Sequence, residues 1–240
     1  MRNYSMTHIQ TPTAVNLQLR AYFVQVYRMM SFGLVVSALC AWLAAHPPVI
    51  GWLYSSNAEG YLTLSYVGWA VLLAPFILVF NLRSAVRTNN PTAATITFYL
   101  FSTLMGLSLS SIFLTYAPGT IFSTFLICAI MFASLSIYGQ TTQRDLSSWG
   151  SILGMGVWGL LIALLVNMFL QKPAFDYAIS LIGVAIFTGL VAYDTQRIRQ
   201  LYNESPASAL RSTAITAALI LYLDFINLFL FLLRLIRQKD

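Results

Sequence analysis

Charge is scarce in this 240-residue chain. Asp, Glu, Lys and Arg together make up 8% of it, where an ordinary soluble domain carries about 25%. So few charges cannot cover a water-soluble globule of this size, and a disordered chain, a collagen or a disulfide scaffold is excluded with it. The two cysteines, Cys40 and Cys128, lie inside apolar stretches, where a thiol acts as a small hydrophobe. His8 and His46 form no metal-binding cluster. No nucleotide-binding loop and no Ser-His-Asp arrangement is visible, and nothing points to a bound cofactor. The net charge of +6 comes without a basic stripe interleaved with aromatics, so nucleic acid is not an expected partner. Leu39 stands before Cys40 where a lipobox wants a small residue, and no small-x-small site follows the first apolar run, so neither a lipoprotein nor a cleaved leader is expected.

What the chain does have is hydrophobic length. A spanning helix needs about 20 apolar residues. Seven runs meet that need: 29–45, 62–82 with Pro75 as a kink, 91–116, 118–138, 149–170, 176 to at least 193, and 212–233. Asn90-Pro91 reads as a cap followed by proline at the first helical position. Pro118-Gly119 reads as a tight turn, and Asp176 as a cap for the sixth helix. In lipid every backbone polar group must be satisfied internally, and the runs do not alternate, so they are helices rather than barrel strands. The expected fold is an all-α polytopic membrane protein with seven transmembrane helices over 26–240, after a flexible polar N-terminal segment at 1–25.

Nine basic residues fall on one side of these crossings: Arg2, Arg20, Arg28, Arg83, Arg87, Arg144, Arg197, Arg199 and Arg211. The positive-inside rule puts that side, and the N-terminus, in the cytoplasm. Lys172 falls on the other side. Arg234, Arg237 and Lys239 join it if all seven runs cross, or the cytoplasmic set if the last run is re-entrant.

A carboxylate in mid-helix is costly in lipid, about 2.5–3.5 kcal/mol on insertion scales, and such residues mark ion or proton pathways more often than structural bonds. Asp224 is one, 13 residues after Arg211 and 10 before Arg234. Asp194 closes the sixth run in Tyr193-Asp194-Thr195-Gln196-Arg197. There it meets the negative end of a helix dipole unless Arg197 or another partner compensates. The two acids can meet only if the sixth helix continues beyond Tyr193, to about Tyr202. Like charges cannot both ionise cheaply at close range, so one of a meeting pair is expected to hold a proton. Falling pH gives a neutral pair; rising pH adds charge and repulsion, opening the site or drawing in a cation. Other polar positions read as packing: Ser102, Thr103, Ser108, Ser110 and Ser111 around Gly106, and Gly150, Gly154, Gly156 and Gly159 as a small-residue face. Asn167 and Asn227 are candidate helix bridges. Arg83 either snorkels or latches a carboxylate.

Four stretches carry a family resemblance: Gly106-Leu107-Ser108-Leu109-Ser110, Thr142-Gln143-Arg144-Asp145-Leu146-Ser147, Ala192-Tyr193-Asp194-Thr195-Gln196, and Leu221-Tyr222-Leu223-Asp224-Phe225-Ile226-Asn227-Leu228-Phe229. With the seven runs they make the chain resemble the Bax inhibitor family, also called the transmembrane Bax inhibitor motif family, and its bacterial inner-membrane branch most of all. The resemblance implies that the last helix is central and wrapped by the other six. It implies a pH-dependent calcium leak controlled by an aspartate pair, here Asp194 and Asp224, which would sense pH and hold calcium weakly. Arg83 is the nearest match to a latch arginine, with Tyr193 and Asn227 as supporting polar residues. Some bacterial relatives modulate a membrane protease, which makes such a protease a candidate partner of this chain and Met1–Leu19 its candidate handle. A third reading, an intramembrane aspartyl protease, also uses two acids. It would want Gly-x-Gly before the second acid, where Leu221-Tyr222-Leu223 stands. The chain is therefore expected not to be an enzyme.

Overall fold

The computed structural model describes residues 12–56, 62–88 and 90–237, excluding the side chains of 12–16, 56, 62, 83 and 87. It is helical nearly throughout. Helix α1 spans Pro12–Ala44 and a short α2 spans Val49–Leu53. Strands β1 (Tyr54–Ser56) and β2 (Leu62–Leu64) pair antiparallel, Ser55 opposite Thr63. Then follow α3 (Tyr66–Arg87), α4 (Pro91–Ser108), a short α5 (Ser111–Thr115), α6 (Pro118–Thr141), α7 (Ser147–Leu170), α8 (Pro173–Glu204) and α9 (Leu210–Arg237). Among the described residues seven segments are long and apolar enough to cross a membrane, with α4 and α5 together forming the third.

Local chemistry sets the boundaries. Asn90 caps α4 by accepting from the Ala93 N–H at 3.0 Å, with Pro91 opening the helix. Pro75 has no N–H to offer the carbonyl of Val71. The Ser108 hydroxyl of α4 donates to that carbonyl at 3.1 Å, so the missing bond inside α3 is replaced by one between helices. Helix α7 ends at Gln171, in the left-handed region at φ 48°.

Several boundaries differ from the sequence reading. Pro118-Gly119, read as a tight turn, opens α6 as its first two residues, because proline suits the first helical position. The residues read as a flexible segment at 1–25 are helical from Pro12, because Leu19, Tyr22, Phe23 and Val26 form a stripe at helical spacing that packs on the core. Residues 1–11, with most of the candidate partner handle, lie outside the described residues. The second crossing begins at Tyr66 rather than 62, since 62–64 is committed to β2 and Ser65 caps α3 by accepting from Gly68 N–H at 3.0 Å. Asp176 sits in the first turn of α8 rather than capping it; Lys172 holds the cap position without a side-chain bond. Helix α8 runs to Glu204, eleven residues past the apolar run.

Helix α9 is the most buried span, with 61% of its apolar window enclosed. It packs against α1, α3, α4, α6 and α8, while α7 lies mainly on α8. At one depth Tyr222 of α9 and Ser37 of α1 share a 2.7 Å hydrogen bond, and Ser37 donates to the Ser102 carbonyl of α4 at 2.7 Å. The last helix is continuous over 28 residues, about 42 Å at 1.5 Å per residue. The Arg237 guanidinium lies over Tyr116, and Arg234 shares a cavity with Gln171 and Lys172. Its C-terminal end therefore stands with the α5–α6 and α7–α8 connections, at the opposite end of the helix from Arg211. The last run crosses fully and is not re-entrant.

Candidate functional site

The extension of α8 satisfies the condition for contact. Asp194 lies ten residues before the end of α8 and Asp224 fourteen after the start of α9, depths of about 15 and 21 Å along antiparallel neighbours. The two carboxyls come within hydrogen-bonding reach of each other. Asp194 is 8% exposed and Asp224 6%.

The flanking residues are apolar. On the face of α8 that carries Asp194, Val191 and Ile198 stand three residues before and four after it. On α9, Leu221 and Leu228 hold the same positions about Asp224. All four are fully buried. The Oδ2 atom of Asp224 is buried without a hydrogen-bond partner. Two carboxylates in such contact repel unless a proton or a cation lies between them. Arg197 stands one turn further along α8.

The segment around Asp194 is clamped by the loop that precedes α7. The Gln196 side chain accepts from Leu146 N–H at 2.8 Å and donates to the Arg144 carbonyl at 2.8 Å. The Thr195 hydroxyl lies 3.4 Å from Ser136 of α6. Gly139 of α6 rests on the Ala192 carbonyl so closely that a Cβ there would collide with it. Outside the spans, Asp145 accepts from Ser147 N–H at 2.9 Å, and its bonds to Ser147 hold its carboxyl below the usual carboxylate range.

The other expected site residues fare differently. The Arg83 side chain lies outside the described residues. The Tyr193 ring lies on Gly150 of α7. Asn227 donates to the Leu223 carbonyl of its own helix at 2.8 Å and bridges nothing through that bond. Asn167 does bridge, donating to Asp176 across α7 and α8 at 3.2 Å. The glycine face of α7 divides: Gly150 and Gly156 pack closely, while Gly154 and Gly159 face open space. The sequence reading missed the Gln196 clamp and the Ser37–Tyr222 bond. Their signal was polar side chains within otherwise apolar or motif-bearing stretches, which names no partner. Among the described residues no group of three or more His, Cys, Asp or Glu could hold a metal ion.

A family model described as inhibitor of apoptosis-promoting Bax1 matches residues 19–240. The chain belongs to the Bax inhibitor family. Several bacterial relatives match it nearly end to end. Inner membrane protein YbhL of Escherichia coli K12 is 41% identical over 224 residues, 92% of this chain and 93% of that protein. An uncharacterized protein of Borreliella burgdorferi is 40% identical over 220 residues, 91% and 92% of the two chains. An uncharacterized membrane protein of Streptococcus pyogenes serotype M1 is 36% identical over 231 residues, 95% and 97%. The family match and the seven apolar helices make this Bax inhibitor family member a multi-pass membrane protein.

Proposed function

We propose that the protein is a pH-sensitive calcium leak of a bacterial inner membrane, gated by protonation of the Asp194–Asp224 pair. One observation carries the reading: two acids on consecutive helices, each buried in apolar packing, touch each other inside the bundle. Protonated, they close on one another. Deprotonated, they repel in a medium that screens poorly, and Asp224 offers an oxygen that no protein donor satisfies. Calcium is the cargo. It takes six to eight oxygen ligands when held tightly, and two carboxylates make a transient stop, as conduction requires.

The described conformation is closed in this reading. Between the acid pair and a 600 Å3 cavity at the far end, lined by Tyr116, Asp176 and Arg234, Phe187 and Phe231 stack with centroids 5.7 Å apart. The same apolar packing speaks against a peptidase, whose acids must meet water and substrate.

The test is calcium flux into liposomes as a function of pH. Flux is expected to rise with pH, by no more than about tenfold per unit for a one-proton gate, and Asp194→Asn and Asp224→Asn should each flatten the profile. Variants that retain the wild-type profile would refute the gate.

A further inference from the structure

Helices α1 and α6 both pack on α9 but leave a groove between them. Its walls are Met30, Leu34 and Ala38 from α1 and Ala129 and Ala133 from α6, with Phe225 of α9 as the floor, and its volume is 490 Å3. Small side chains on facing walls keep it open. It lies inside two membrane spans, so its contents are drawn from the bilayer.

The groove is polarised along its length. At its cytoplasmic end Tyr27 and Gln140 belong both to it and to a second, 380 Å3 cavity whose other residues include Arg20 and Arg199. Gln140 donates to the Tyr27 hydroxyl at 2.9 Å, which leaves the Tyr27 O–H free to donate onward. Arg199 donates to the Gln140 carbonyl at 3.4 Å near the end of α6, where the helix dipole favours a cation. Arg20, Tyr27 and Leu34 are spaced by sevens along one face of α1, about 10 Å apart. Cation, hydroxyl donor and apolar slot thus follow one another from the headgroup level inward.

We propose that this groove holds one anionic phospholipid of the cytoplasmic leaflet, its phosphate between Arg20 and Arg199, its ester level at Tyr27 and an acyl chain along Met30, Leu34 and Ala133. A partner helix is too wide: one helical turn, about 11 Å across and 5.4 Å tall, fills about 500 Å3, as much as the whole groove. The inference does not depend on the acid pair.

The test is native mass spectrometry of the full chain after exchange with vesicles of phosphatidylglycerol or phosphatidylcholine. The wild type is expected to retain one phosphatidylglycerol about tenfold or more over phosphatidylcholine, the selectivity two basic residues at a membrane surface supply. Arg20→Gln with Arg199→Gln should erase that preference, and Ala129→Phe should lose both lipids. Arg144→Gln, an exposed cation of the same face, should behave as wild type. Excess inorganic phosphate should not displace the lipid. Retained selectivity in the double variant, retained lipid in Ala129→Phe, loss in Arg144→Gln or displacement by free phosphate would each overturn the assignment. Circular dichroism checks that each variant is folded, and the arginine changes, at exposed positions, keep the test open if Ala129→Phe fails that check.

Discussion

Helices α7 and α9 have the same mean hydropathy, yet 6% of one and 61% of the other is enclosed. In water such a pair could not differ so much, because an apolar helix is driven inward. In a bilayer the lipid tails are as apolar as the core, and hydropathy says only that a helix crosses. Position within the bundle is decided by shape and by polar groups that need protein partners. Helix α9 carries Asp224 and Tyr222, both met by protein. Helix α7 presents Leu165, Trp158 and Phe169 outward.

The largest effect that would sharpen this contrast is a truncation on each helix. Leu228→Ala, at a fully buried site, is expected to destabilise by about 2–5 kcal/mol. Leu165→Ala, at a site 60% exposed, should change stability by less than about 0.5 kcal/mol. Thermal unfolding in detergent reads both, and equal shifts would erase the distinction between centre and edge.

A second contrast uses glycine. Gly139→Ala forces a methyl against the Ala192 carbonyl and is expected to cost about 1–3 kcal/mol. Gly154→Ala meets nothing and should be neutral or stabilise by about 0.5–1 kcal/mol, since helical glycine is entropically poor. Melting temperatures that fall alike would show that α7 is packed where it stands open here.

The smallest effect concerns Asp145. Its carboxyl is held below the usual range by Ser147, so its contribution is present above the ordinary carboxylate pKa and lost as pH falls through the lower, folded value. The melting temperature of wild type minus that of Asp145→Asn should be slightly positive at neutral pH and vanish on acidification. A difference that grows toward acid would reverse the assignment.

The seven crossings were legible because a lipid-soluble helix is written in composition. Helix ends were not. The polar run Asp194–Arg199 ends the hydropathy signal while the backbone continues to Glu204, so the sequence supplied both acids and only the condition for their meeting. Likewise Asn16, Gln18 and Arg20 mask the amphipathic start of α1, whose apolar stripe shows only once helical spacing is imposed. Partners such as Gln196 for the loop before α7, or Ser108 for the carbonyl that Pro75 leaves open, depend on which helices adjoin, and period alone does not give that.

Five residues, 205–209, join α8 to α9. During synthesis these two helices can therefore enter the bilayer as one hairpin. Each acid alone would oppose insertion by about 2.5–3.5 kcal/mol, but a hairpin presents them already facing each other. The last pair of helices thus brings its own solution to the problem its acids create, before the rest of the bundle has closed around it.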